Sequence, residues 1–449
     1  MTDIMAYIKG YWNIIFVMER EYMKLKISNV GKMEQTVIEI DGITVIAGEN
    51  NAGKSTIGKT LFAIFNSMNN MEEKIVQEKK SKIGTIINTQ MQGKVGQDSA
   101  TFSERRRRIN MLTVKLRDAF MEYLNGEETI RVEDFLRTQV ADSVAFNTEE
   151  DKTEFIAECA VKLEDLIAVP DRKVMTEVIT RWFSTVFDNQ MSPLWEEETA
   201  SEIEVSIKGK KISYLFSNNK CENWEAELNI LHQAFYIDNP FAIDRMSEYY
   251  VSEKITERYL LDSLEKDEKD IYENIFDAVA AKEKLLEINS ILGEVIDGDI
   301  ENNQDGEYYF KSRKYAKPLK ISNLSAGMKS FALIKRLLET GELKEKDVII
   351  LDEPEIHLHP EWQLLYAQLI VLLQKQFDLS MVITTHSPYF LDAIDVFSAK
   401  YNTKDRTRYY LAENEGDTAR LQDVTDNIDA IYKKLSDPMQ MLENLRYNG

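Results

Sequence analysis

The sequence predicts an α/β fold: a mixed β-sheet with flanking helices, interrupted by a large, mainly helical inserted lobe. Three observations predict it. Between Ile43 and Met68 an apolar strand runs through a glycine-bearing loop into a stretch with helical spacing. From Val348 to Thr385 strand, helix and strand alternate, the order of a parallel sheet. Between these regions charges are dense, glycines are few, and the first proline is Pro170.

Composition sets the outer limits. The chain has 449 residues, 43% of them hydrophobic, enough to bury a core and too many for a disordered tail. Acidic residues outnumber basic ones by 77 to 55, a net charge of −22. A uniformly basic coat for nucleic acid is thereby excluded, so any DNA contact must be a local patch. The two cysteines, Cys159 and Cys221, form no C-x-x-C and cannot make a disulfide framework. They read as buried thiols in a reducing compartment. No run approaches the roughly 18 apolar residues of a membrane span. A cytoplasmic protein with no membrane partner is expected.

The elements follow in order. Residues 1–22 read as an N-terminal appendage or an upstream start, because Met23 opens a strand-like segment. Residues 23–69 form the first part of a head: MKLKISNV, TVIEI and ITVIAG read as strands, and STIGKTLFAIFNSM as a helix. Residues 70–200 are the helical lobe. Arg105, Arg106, Arg107 and Arg108 stand out there as a solvated helix face or, alternatively, a contact for DNA or an acidic partner. Residues 201–243 return as β structure, with a hairpin pattern around Gly209 and a short strand, FYID, stopped by Asn239-Pro240. Residues 244–293 are helical. Residues 294–449 form the second part of the head and end in a helix.

Four segments carry chemistry. Gly48-Glu49-Asn50-Asn51-Ala52-Gly53-Lys54-Ser55 fits G-x-x-x-x-G-K-[ST] in full, between a strand and a helix. In that pattern the backbone of Gly48, Asn50, Asn51, Ala52, Gly53 and the helix start through Thr56 wraps the phosphates of a ligand. Lys54 reaches the β- and γ-phosphates, and the Ser55 hydroxyl faces Mg²⁺. The strand VIILD ends in Asp352 and Glu353, at the edge where ligands of open α/β sheets sit. One carboxylate can hold Mg²⁺ and the next can orient or deprotonate water; the plain alternative is a helix-capping pair before Pro354. His386 follows the strand MVITT and can reach a γ-phosphate. His357, His359 and His386 also admit a zinc site as a minor alternative. Finally, Ser325 can cap a helix in Leu324-Ser325-Ala326-Gly327-Met328-Lys329, where Gly327 allows close approach of an anion.

Taken together, GENNAGKS, LSAGMK, VIILDEPEIHLHP and ITTHS resemble the phosphate loop, signature loop, acidic strand and switch histidine of ABC-type P-loop ATPases. DEPEIHLHP followed by TTHSP resembles the soluble branch, which holds overcoming-lysogenization-defect nucleases, RecF- and SMC-type ATPases, and ATPase subunits of anti-phage systems such as the Septu and PARIS types. The resemblance implies two heads clasping two ATP molecules, with Ser325 and Gly327 acting in trans. It implies Glu353 as the base, Asp352 and Ser55 as the Mg²⁺ shell, and His386 as the γ-phosphate sensor. His359 lies where the family's dimer-contacting loop would start. The glutamine that links the family's inserted lobe to Mg²⁺ has no clear counterpart; Gln233 is the nearest choice. The short stretch after His386 implies no nuclease domain of the TOPRIM type. The expected function is thus an Mg-dependent ATPase switch, a homodimer alone or within a higher oligomer, controlling a nuclease or toxin effector encoded nearby in anti-phage defence. The alternative is a RecF- or SMC-like ATPase that binds DNA directly.

Overall fold

A computed structural model of the chain describes residues 22–96, 101–126, 130–141, 145–196, 199–246, 254–266, 275–303 and 306–447. The expected appendage, apart from Tyr22, lies outside the described residues. The chain divides into two compact units, residues 70–178 and residues 1–69 with 179–449.

The larger unit begins with β1 (Met23–Val30), β2 (Met33–Ile40) and β3 (Ile43–Gly48), which runs into α1 (Lys54–Met68). The smaller unit then supplies α2 (Met71–Met91), α3 (Phe102–Asn125), α4 (Val132–Gln139), α5 (Glu149–Ile167) and the first half of α6 (Asp171–Val186). The return holds β4 (Ser201–Ile207), β5 (Lys210–Ser217), β6 (Lys220–Ala226), β7 (Ala234–Ile237), α7 (Ile255–Leu264) and α8 (Ile275–Val295). Next come β8 (Gly298–Asn302), β9 (Tyr308–Ser312), β10 (Leu319–Lys320) and α9 (Ala326–Glu339). The chain closes with β11 (Val348–Asp352), α10 (Pro360–Phe377), β12 (Ser380–Thr385), α11 (Pro388–Lys400), β13 (Thr407–Glu415), β14 (Thr418–Asp423) and α12 (Asp429–Tyr447).

Eleven strands form one mixed sheet in the order β6-β5-β4-β1-β2-β14-β13-β3-β12-β11-β7. The burial patterns explain which half is which. In β1, Met23, Leu25 and Ile27 are buried while Lys24 and Lys26 face out, the alternation of a strand with one wet face. Every residue of β3 is buried, as in a parallel strand covered on both faces. The parallel run β13-β3-β12-β11-β7 lies within the main core, where Phe331, Tyr366, Ile370 and Phe390 of the covering helices are fully buried.

The smaller unit has its own core, with Ile87, Leu116, Phe120, Phe155 and Leu163 fully buried. As a compact unit it ends at Val178. The second half of α6 belongs to the larger unit because Phe183 packs ring to ring with Phe216 and Tyr214, at centroid distances of 4.7 and 5.5 Å. Among the described residues no helix is long and apolar enough to cross a membrane.

Candidate active site

Register brings the site together. Ala47 of β3 pairs with Thr385 of β12, and Thr384 pairs with Asp352 of β11. The carboxyl ends of these three parallel strands share one edge of the sheet. The phosphate loop leaves β3 there, the acidic pair lies at the end of β11, and His386 follows β12.

The loop's shape is set by its backbone. Gly48 has φ 141°, and a Cβ on it would lie 2.1 Å from the carbonyl oxygen of Ala412, so no side chain fits. Asn51 and Gly53 adopt left-handed φ values of 59° and 70°, which turn the loop towards the first turn of α1. Asn50 and Asn51 are exposed while Ala52 is buried against the fold. Thr56 lies in that first turn, its N–H donating to the Gly53 carbonyl at 3.0 Å.

Lys54 is only 5% exposed. Its Nζ donates to the Glu49 carbonyl at 2.7 Å and stands 2.8 Å from His386 Nε2. Burial pushes the ammonium below its usual range, and the carboxylates of Glu353, Asp352 and Glu355 oppose that shift. His386 Nε2 also lies 3.1 Å from Glu353 Oε1. One ring nitrogen cannot accept from Lys54 and donate to Glu353 at the same time. Lys54 and Glu353 thus compete for a single atom of His386.

Asp352 collects three hydroxyls. Those of Ser55, at 3.2 Å, and Thr384 donate to Oδ1, and that of Tyr236 donates to Oδ2. The neighbouring Glu353 has a left-handed backbone, φ 52°, held by its N–H donating to the carbonyl and hydroxyl of Thr384. Oxygen atoms of Ser55 and Asp352 so close together are the hard donor set that suits Mg²⁺. Zinc does not fit. Among the described residues no cluster of three His, Cys, Asp or Glu side chains could hold a metal ion. His357 instead packs edge-on to Phe241, and His359 sits exposed at the start of α10.

Several contributors were not legible in the motifs. Tyr236 and Thr384 grip Asp352. Glu355, 5% exposed, accepts from the Thr385 hydroxyl at 2.6 Å and the His386 N–H at 2.9 Å, fixing the turn that carries the histidine. Burial raises the Glu355 carboxyl above its ordinary value. In the loop itself, Glu49 is held by Lys434 of α12 at 2.6 Å and by the Asn414 side chain at 2.8 Å, which together depress its carboxyl to about 2. A tyrosine in a buried strand is the one usable signal, since its hydroxyl needs a partner.

The remaining expectations fare differently. Ser325 is exposed and caps α9, accepting from the Met328 N–H at 3.3 Å. Gly327 lies so near Trp362 that a Cβ would sit 2.8 Å from the indole. Among the described residues no hydrogen bond joins either to the phosphate loop of the same chain. Gln233 is misplaced as a metal-linking residue. Its carbonyl pairs with Val348 at the start of β11, about 13 Å of strand from Asp352 at ~3.3 Å per residue. Its side chain is spent on Tyr259 and the Glu342 carbonyl. In the helical unit, Arg105 donates to the Val95 carbonyl and Arg108 is half-buried, so only Arg106 and Arg107 of that run are exposed.

Comparison with known proteins gives a family. Residues 23–391 match the AAA ATPase domain family. Among solved structures, the SMC head domain from Thermotoga maritima is 11% identical; the match covers 90% of this chain and 99% of that one, with a TM-score of 0.37. An Smc head domain with an extended coiled coil derived from Pyrococcus furiosus, bound to the C-terminal domain of ScpA, is 12% identical, with 95% and 99% covered and a TM-score of 0.40. The family model spans most of the chain, including the phosphate loop, the acidic strand and the histidine: the chain belongs to the AAA ATPase domain family.

Proposed function

We propose that the chain binds and hydrolyses Mg-ATP at this edge of the sheet and uses the cycle as a switch over a separate effector, a nuclease or toxin encoded nearby, in bacterial anti-phage defence. The observation that carries the hydrolytic reading is the meeting of Lys54, Glu353 and His386 around one ring nitrogen, beside the Ser55–Asp352 pair. A γ-phosphate oxygen placed between Lys54 and His386 takes a hydrogen bond from each and draws Lys54 off the ring nitrogen. Glu353 is then released to accept the proton of the attacking water. Ser55 and Asp352 hold Mg²⁺, which supplies neutralising charge for the phosphates. The loop amides orient the nucleotide, and the exposed Ser325 with Gly327 caps the γ-phosphate of a second copy's site, giving a homodimer alone or within a higher oligomer.

The effector reading rests on the resemblance of DEPEIHLHP and TTHSP to the soluble ATPase branch, and on a helical unit with its own core. The chain acts through its effector and not through a nuclease of its own. The buried free thiols Cys159 and Cys221 suit the cytoplasm. A second reading, direct DNA binding, has one observation behind it: the exposed pair Arg106 and Arg107.

The test is capture from the native host in Mg-ATP of Glu353→Gln, which should trap ATP, with Lys54→Ala as control. A specific protein held only by the trap supports the effector reading. Nucleic acid in its place supports the second reading, and identical captures by both variants refute an ATP-dependent switch.

A further inference from the structure

Glu49, the residue after Gly48 in the phosphate loop, is fixed through every polar group it has. Its N–H donates to the Ala412 carbonyl at 3.1 Å, and its own carbonyl accepts from Lys54 Nζ at 2.7 Å. Its carboxylate meets Lys434 Nζ at 2.6 Å on Oε1 and accepts from the Asn414 side chain at 2.8 Å on Oε2. The Asn414 N–H reaches the same Oε2 at 3.3 Å. The second hydrogen of the Asn414 amide goes to the Asn50 carbonyl at 3.2 Å. Both anchors come from the far end of the chain. Asn414 lies near the end of β13, just past Ala412, which pairs with Gly48 across the sheet. Lys434 lies on α12, one turn beyond Ile431, which is fully buried in the main core. The buried residue holds the helix in place, and the lysine on the same face meets the loop.

A carboxylate is a poor companion for phosphate. Lys434 first, and Asn414 second, depress the Glu49 carboxyl to about 2, so it is charged throughout the ordinary pH range. The charge lies one side chain away from the carbonyl that touches Lys54, the ammonium that an ATP phosphate would meet. Unopposed, it repels a polyphosphate. Lys434 offsets it. Asn414 meanwhile turns the Asn50 carbonyl, the negative end of a dipole, towards protein. We propose that Lys434 and Asn414 are positioning residues of the nucleotide site: they hold the start of the phosphate loop through Glu49, and Lys434 cancels the Glu49 charge so that the loop accepts ATP. The proposal rests on the reading of residues 48–55 as an ATP phosphate loop. It makes α12 part of the nucleotide site, although no motif marks that helix.

The experiment measures, by calorimetry, the affinity of the full chain for a non-hydrolysable ATP analogue with Mg²⁺. Lys434 and Glu49 are 32% and 36% exposed, so replacing them leaves the core intact. Lys434→Met raises Kd about fivefold, the upper range for a partly exposed pair, and Lys434→Arg restores it. The loss shrinks at high salt, where the charges are screened. The deciding readout is non-additivity. Glu49→Gln changes Kd less than about twofold in the wild type, yet lowers it about threefold in the Lys434→Met background, because there the charge is uncancelled. If Lys434 serves only the fold, removing Glu49 as well restores nothing. Asn414→Asp, which sets a second carboxylate against Glu49, also raises Kd. A Kd indifferent to Lys434→Met overturns the proposal, as do additive effects of the Lys434 and Glu49 substitutions. A Kd indifferent to Asn414→Asp overturns the part given to Asn414. If the wild type binds no analogue at all, the ATP reading itself falls and the proposal falls with it.

Discussion

Replacing Glu353 by glutamine separates binding from chemistry at this site. The carboxylate stands 3.1 Å from His386 Nε2, and its main-chain N–H is pinned to Thr384, so an amide of the same size can occupy the same place. What disappears is the proton acceptor. A positioned general base contributes about 10²- to 10⁴-fold, so turnover should fall by that factor, about 2.7 to 5.4 kcal/mol on the barrier. ATP affinity should hold or improve, because a negative charge beside Lys54 and His386 has been removed from the neighbourhood of a phosphate. Single-turnover phosphate release reads the first quantity and calorimetric nucleotide binding the second. A fall of less than tenfold would refute the assignment of Glu353 as the base. Loss of ATP binding would show that Glu353 shapes the pocket instead.

Three further outcomes follow from the same geometry. Gly48→Ala places a Cβ against the Ala412 carbonyl in a region of φ that side chains avoid; urea unfolding should show a loss of at least about 3 kcal/mol, and a loss under about 1 kcal/mol would contradict the close approach. Asp347, buried beside the Gln233 and Lys344 amides, has its carboxyl raised by burial from 3.8 to about 6. A carboxyl raised on folding stabilises most below its unfolded pKa and loses that contribution as pH rises through the folded one, so the stability gap should shift towards Asp347→Asn by about 1.4 kcal/mol between pH 5 and 8; a constant gap would contradict the shift. If the second reading holds, reversing Arg106 and Arg107 to glutamate abolishes DNA retention and its salt dependence in filter binding; retention unchanged by the reversal would clear those residues of the role.

What could be read from the sequence was the part dictated by local backbone chemistry. Gly48 and Gly53 announce the loop because only their conformations permit it, and VIILD announces a parallel strand because every position before Asp352 is buried. The contacts that orient the site were hidden because they join distant segments. Tyr236 reaches Asp352 across 116 residues, and Asn414 reaches Glu49 across 365. Gln233 misled because nearness to a strand in sequence does not say which end of it faces the site. β14 escaped notice for a different reason: only Ala419 of TARLQD is buried, so its pattern looks like loop. Residues 412–417 form the end of β13 and the turn into that strand. The end of the helical unit carries no mark in the sequence because α6 is one continuous helix that runs from that unit into the larger one.

The most direct test of the account is phosphate release from ATP by the purified chain, with Mg²⁺ and with Mg²⁺ chelated, beside Lys54→Ala. Hydrolysis that needs Mg²⁺ and disappears with the lysine is the predicted result. Hydrolysis that survives either loss, or none in the wild type with Mg-ATP, would contradict the claim that this edge of the sheet is an ATPase site.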